Sequence, residues 1–348
     1  MKLEAKLCVG LLTLLIVITG SFADSMAKCP VRMGSLYPSD HFSVISQRGS
    51  TSKFPENTLP AFQEALDVDG ANSLAIDLSI TRDGKIVLWQ DWDLDRSRKN
   101  NFPTRFEKFK PIDPHFSKSG KRNEISKLNY VEFTDHYGYE NGITHEKLHI
   151  KIPTLHDFMK WATQQSKLKL VLFKIKIPAD ENLLASKMFQ EIRRTMKTIS
   201  PAPHFRFVLL TPHLEILSRI RNSFKELSFS FDREIPSAKI INYHAYTTVP
   251  NAMEFKNQTA SIGFPVQSQA SDSSTPNLWD IYKFILTLDF KIRDNYKRST
   301  SNYIKIISWT FNDEKKIRCL IHLGVDGIVT NDPKLVRKIA LNLGKILD

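Results

Sequence analysis

The feature that most constrains this chain is a repeated alternation of short apolar runs with longer amphipathic ones. Residues 42–46 read as a strand, and 57–68 as a helix with Leu59, Phe62, Ala65 and Leu66 at helical spacing. Residues 73–80 and 85–89 read as strands around the turn Arg82-Asp83-Gly84. After a break the pattern resumes. Strands are expected over 168–175, 207–210, 227–231, 303–311 and 326–330, and helices over 154–163, 180–198, 213–224, 313–323 and 333–347. The run at 168–175 is near-continuously apolar, as strands buried on both faces are. Such βα alternation dictates a parallel sheet, and the number of units favours a closed (β/α)8 barrel, the TIM-barrel α/β class, over an open sheet. Residues 240–300 carry no clear pattern.

The break lies at about 93–151, after the second barrel strand. It is polar, basic and Pro-containing, and reads as an insertion with little core of its own. Its cations include Arg96, Arg98, Lys99, Arg105, Lys108, Lys110, Lys118, Lys121 and Arg122. They suit a solvated loop first, with a lid or a contact to an anionic membrane as the alternatives.

The N-terminus has the layout of a secretory signal peptide over residues 1–23. Lys2 and Lys6 precede an apolar run at 7–19, and Ser21-Phe22-Ala23 places small residues at the cleavage positions. A retained signal anchor is the alternative. Cleavage near Asp24 leaves an N-terminal arm, 24–41, ahead of a barrel domain, 42–348. No later segment is long and apolar enough to span a bilayer. A secreted, extracellular protein is therefore expected. Cys29 and Cys319 then travel an oxidising route. They lack the neighbours a metal site needs, and in a closed barrel the first and last units adjoin, so a disulfide and two free thiols are the two readings. Asn257-Gln258-Thr259 is a glycosylation sequon in an expected loop.

The formal charge is +12. A basic secreted chain points to anionic partners: a phosphate-bearing small molecule, a phospholipid head group or a sulfated glycan. No nucleic-acid recognition pattern accompanies the cations, and no Gly-rich dinucleotide or P-loop fingerprint occurs.

Several ordered motifs then resemble one family. Gln47-Arg48-Gly49, Pro55-Glu56-Asn57-Thr58 and Ala61-Phe62 are followed by Ala75-Ile76-Asp77-Leu78, Thr81, Asp83-Gly84 and Gln90-Asp91. Ile152-Pro153-Thr154-Leu155, Trp309-Thr310-Phe311-Asn312-Asp313 and the segment from Gly324 to Pro333 continue the series. Together these are similar to glycerophosphodiester phosphodiesterases over about 42–340. The resemblance implies a barrel in which two His move protons, carboxylates hold a divalent cation, and an Arg and a Lys grip the phosphate.

The substitutions fall on those roles. Both His positions are Gln here, Gln47 and Gln90, and a Gln amide cannot shuttle a proton. Of three metal carboxylates only Asp77 remains, since Ala75 and Lys174 replace the others. Arg48 and Lys176 keep the anion-gripping positions, and Trp309 falls at a strand end where it can pack on a ligand. Lys174 is expected to pair with Asp77 and to supply part of the missing cation's charge. Asn57 or Thr58 is expected to cap the first helix.

Three functions follow: a phosphate-binding barrel without turnover and without a cofactor, an atypical phosphoric diester hydrolase of lipid metabolism using Mg or Ca, or a structural or interaction protein. Oligomeric state is left open.

Overall fold

The computed structural model describes residues 29, 34–90, 92, 109–112, 124–141, 144, 146–220, 222–235, 242–264 and 278–348. The expected signal peptide, Asp91 and nearly all the insertion's cations lie outside the described residues.

Eight parallel strands close into a barrel. In chain order these are β1 (His41–Gln47), β2 (Ser73–Ile80), β7 (Leu170–Ile175), β8 (Arg206–Thr211), β9 (Phe229–Glu234), β10 (Thr259–Gly263), β11 (Lys305–Trp309) and β12 (Gly327–Thr330). β12 pairs with β1 and β1 with β2, so no barrel strand is left with an open edge. β3 (Ile86–Leu88) runs antiparallel on β2, and β13 (Ile346–Leu347) adds a short pairing to β1.

The helices between the strands are α1 (Leu59–Asp67), α3 (Leu155–Ala162), α4 (Asn182–Thr198), α5 (Leu214–Ile220), α6 (Val249–Glu254), α7 (Leu278–Thr300), α8 (Glu314–Leu323) and α9 (Pro333–Asn342). α2 (Tyr130–His136) belongs to the insertion. Thr58, rather than Asn57, caps α1 by accepting from the Ala61 N–H. Thr154 and Asp157 form a reciprocal capping box on α3.

Strand alternation divides the core into two layers. On β7, Val171, Phe173 and Ile175 pack outward against helices, while Leu170 and Leu172 point into the barrel. Both layers are fully buried, which explains the unbroken apolar run.

Three expectations are corrected. The insertion has a core of its own, because β4 (Phe109–Ile112), β5 (Gly138–Asn141) and β6 (Lys147–Leu148) form an antiparallel sheet. Trp89, Ile125, Phe133, Tyr137, Tyr139 and Ile152 are buried together beside it. Asn257 is also not in an exposed loop. It is buried, its Nδ2 donates to the Phe229 carbonyl, and its Oδ1 accepts from Ser228 Oγ and the Thr259 N–H, both at 3.1 Å. A side chain committed to bonds between β9 and β10 cannot present its amide for glycosylation. Finally, residues 240–300 contain a barrel strand, β10, and the long helix α7.

Cys29 and Cys319 form a disulfide, which ties the N-terminal arm to α8. The arm is held further by the Ser35 N–H on the Leu323 carbonyl (2.9 Å) and the Leu36 N–H on Asp294 Oδ2 (2.7 Å).

Candidate functional site

The barrel interior is filled by Ile45, Ala75, Leu170, Leu172, Val208, Leu210, Ile307 and Val329. Two residues further along, the same inward phase brings up Gln47, Asp77, Lys174 and Trp309 at the C-terminal strand ends. Barrel sites form at this end because loops there are free of the packing that fills the interior.

Asp77 is the centre of the mouth. Its carboxylate is buried and meets Arg48 Nε at 2.8 Å on Oδ2 and Lys176 Nζ at 3.2 Å on Oδ1. Asn57 Nδ2 also donates to Oδ2 (3.3 Å), while Asn57 Oδ1 accepts from the Asp77 N–H (3.2 Å). Arg48 additionally pairs with Glu56 at 2.7 Å. Burial pushes the Asp77 carboxyl up, but Lys176, Arg48, Lys174 and the Asn57 bond together outweigh it and hold the pKa at about 2.

The loop that delivers Arg48 is bent tightly. Arg48 (φ 59°) and Asn57 (φ 55°) both adopt the left-handed region. Gly49 (φ 88°) lies so close to α1 that a Cβ would stand 2.7 Å from the Ala61 carbonyl carbon. Non-glycine residues in this region are strained, and such strain persists where surrounding contacts over-determine it. Here the contacts are the Arg48 N–H on the Ala75 carbonyl (2.8 Å) and the Asn57 N–H on the Arg48 carbonyl (2.9 Å).

Lys174 sits beside Asp77 in register on the adjoining strand, yet its ammonium goes elsewhere. It reaches Asp232 Oδ2 at 3.5 Å and lies over the Trp309 ring, 3.9 Å from the centroid. The expected Lys174–Asp77 ion pair is thus corrected: both Asp77 oxygens are already taken by Arg48, Asn57 and Lys176. Lys174 is buried, and this desolvation lowers its pKa; Asp232 opposes the shift, and Lys176 adds to it. Asp232 is fixed in turn, its Oδ1 accepting from Ser261 Oγ at 2.5 Å. Gly263 makes room for the Trp309 ring, since a Cβ there would lie 2.4 Å from a ring carbon. Glu234 stands at the end of β9 beside this group, its pKa raised by burial and by Asp232 against the pull of Lys174 and Lys176.

The structure therefore brings together Gln47, Arg48, Asp77, Lys174, Lys176 and Trp309. Gln47 is buried, and its Oε1 has no hydrogen-bond partner among the described residues. Gln90 is half-buried just past β3, where the neighbouring Trp89 N–H donates to the Asp77 carbonyl (3.1 Å). Sequence reasoning missed Asp232. Its signal was the alternation Phe229-Ser230-Phe231-Asp232, which places Ser230 and Asp232 on one face, but the expected strand stopped at 231.

Hard divalent cations need several oxygen ligands. Asp77 has both oxygens engaged by cations and an amide, and Ala75 and Lys174 offer none. Among the described residues no group of three or more His, Cys, Asp or Glu is placed to hold a metal.

Comparison with known proteins agrees with this architecture. The glycerophosphodiester phosphodiesterase of Caldanaerobacter subterraneus is 23% identical over 304 residues, 85% of this chain and 98% of that protein. Glycerophosphodiester phosphodiesterase 1 of Mus musculus is 25% identical over 293 residues, 80% of this chain and 75% of its own length. A solved phosphodiesterase of Oleispira antarctica, in complex with the product sn-glycerol-3-phosphate, superposes with a TM-score of 0.55 at 16% identity, covering 86% of this chain and 96% of that one. The profile of the glycerophosphoryl diester phosphodiesterase family matches residues 48–335, and the chain belongs to that family.

Proposed function

We propose that this family member is a secreted barrel that binds a phosphate-bearing ligand at its mouth and has lost metal-assisted hydrolysis. The observation that carries the reading is the Lys174 ammonium, buried against Asp232 and Trp309 on the strand position that faces Asp77. A fixed cation there offers a phosphoryl oxygen the charge that a metal would have offered, but it activates no water. Gln47 and Gln90 supply hydrogen bonds and no proton transfer, a contribution worth roughly 10²–10⁴-fold in active sites. Lys176 and Arg48 keep partial exposure and can turn toward an incoming anion. The bound product in the Oleispira antarctica phosphodiesterase supports a glycerol-phosphate type of ligand. The signal-like residues 1–23 and the disulfide support an extracellular location.

The test is hydrolysis of glycerophosphocholine and lysophospholipids by the mature protein with Mg²⁺, Ca²⁺ or chelator, beside binding of sn-glycerol-3-phosphate by calorimetry. A variant carrying Gln47→His, Gln90→His, Ala75→Glu and Lys174→Glu is assayed in parallel. The native chain should bind without metal and turn nothing over, while the variant gains metal-dependent turnover. Turnover by the native chain would overturn the proposal. His213, half-buried after β8, and Glu234 would then be the first groups to replace.

A further inference from the structure

The opposite end of the barrel holds a groove of about 1120 Å³ that the phosphate reading does not use. Its wall is made where the chain enters β2 and β7, and by α9 with the C-terminal segment. Six cations line it: Lys167, Lys169, Lys334, Arg337, Lys338 and Lys345. The carboxylates facing them are Asp67, Asp69 and Asp348. Asp67 is taken by Lys167 (2.9 Å) and Asp69 by Lys334 (3.2 Å), while Asp348 is engaged by Lys305 (2.9 Å) and His41 (3.0 Å).

Four cations have no carboxylate partner among the described residues, and one of them, Lys345, donates to the Ser39 carbonyl (2.5 Å). The ammonium groups of Lys169 and Lys338 have no ion-pair or hydrogen-bond partner among the described residues, and Arg337 reaches only the Gly70 carbonyl at 3.4 Å. Arg337 is nonetheless held in place. Gly70 (φ 72°) leaves its flank bare, and a Cβ there would stand 2.5 Å from Arg337 Cδ. Val68, Leu341 and Ile346 stand half-exposed among these cations, and they are three of the seven large apolar residues left exposed among the described residues.

We propose that this groove is a docking surface for an anionic phospholipid bilayer. Unpaired cations beside exposed aliphatic side chains match both layers of such a surface, head-group phosphate and the start of the acyl region. A sulfated glycan would use the cations alone and leave Val68, Leu341 and Ile346 in water. The groove lies at the N-terminal strand ends and the mouth at the C-terminal ends, roughly 20 Å apart along strands of six or seven residues. Docking by the groove therefore turns the mouth away from the bilayer, so the ligand arrives from solution and not from the membrane beneath.

The experiment is co-sedimentation of the mature protein with vesicles of phosphatidylcholine alone and with phosphatidylserine added. The protein should bind only the anionic vesicles, and each of Lys169→Gln, Arg337→Gln and Lys338→Gln should weaken binding about fivefold. Leu341→Ser with Val68→Ser should weaken it further at unchanged charge, with thermal melting confirming the fold. Lys174→Met should leave vesicle binding intact, which separates this proposal from the phosphate reading. Failure to bind anionic vesicles overturns the proposal, and so does binding that the groove variants leave unchanged. Capture by heparin that the cation variants abolish and the apolar variants do not affect would overturn it in favour of a glycan.

Discussion

Two buried aspartates, one at each end of the barrel, have been driven in opposite directions. Asp77 at the mouth is held at about 2, although burial alone would raise it, because Lys176, Arg48 and Lys174 surround it. Asp326, just before β12, is also fully buried and is shifted upward. Burial dominates there against Arg293, whose Nη1 lies at 2.8 Å, the Tyr303 hydroxyl at 2.6 Å and the Ile306 N–H at 2.8 Å. Arg293, wholly enclosed, pairs with Asp326, and Lys305 acts on it from further off. Three cations answer Asp77, and two of them reach solvent. A buried pair that only balances itself serves the fold. A carboxylate held far below its ordinary value marks a place where neighbouring cations outweigh burial, and at the mouth two of those cations are open to solvent.

The largest test of this contrast is Arg293→Ala. Removing one partner of an enclosed pair strands the other, at about 3–5 kcal/mol of stability. Urea unfolding should show a far smaller loss for Arg48→Ala, because Lys176 remains on Asp77. Equal losses would mean that both clusters are structural.

The pH dependence of stability sharpens the same point. Asp77 titrates at about 2 when folded against an ordinary 3.8. Its contribution, about 2 kcal/mol, is complete above pH 3.8 and is lost as pH falls toward 2. Asp326, raised on folding, has the opposite sign: its contribution is complete below 3.8 and declines as pH rises through its folded value. Asp77→Asn should flatten the acid limb of the unfolding curve, and an unchanged limb would remove the argument for a cationic mouth.

The smallest expected effect concerns the ligand. Burial lowers the Lys174 pKa from 10.5, so its charge disappears at a less alkaline pH than that of an exposed lysine. Affinity for sn-glycerol-3-phosphate, followed by calorimetry across that range, should fall as pH rises. Lys174→Met should weaken binding about tenfold and abolish the early alkaline fall, since one buried charge-assisted contact is worth about 1.5–3 kcal/mol. A pH profile that survives the substitution would place the titrating group elsewhere.

Much of this architecture is legible in the chain. Most of the strands of the barrel announce themselves as apolar runs, because a strand covered on both faces leaves no position for a polar residue. β10 does not, since Thr259-Ala260-Ser261-Ile262-Gly263 is built of small residues that leave space for Trp309 and for the Asp232–Ser261 bond. α7 hides for a related reason. Its buried face carries Lys283, Thr287, Asp289, Arg293 and Asp294 among Tyr282, Ile285, Leu286 and Phe290, which dilutes the helical period.

The same division holds at the site. Strand phase is a local property, so the sequence by itself determined that Gln47, Asp77, Lys174 and Trp309 share one inward phase, while it is the family resemblance that sets Gln47 and Gln90 at the positions of two His. Which cation meets which carboxylate was decided only in three dimensions. Asp77 has two oxygens, and Arg48, Asn57 and Lys176 reach them from loops and strand ends that no spacing rule orders. Lys174 was left to span the mouth to Asp232 and rest on Trp309. The groove at the far end likewise exists only because closure of the barrel places residues 67–72, 166–169 and 334–348 side by side. Local periodicity is set by bonded neighbours; charge pairing is set by whatever the closed fold puts within a few ångströms.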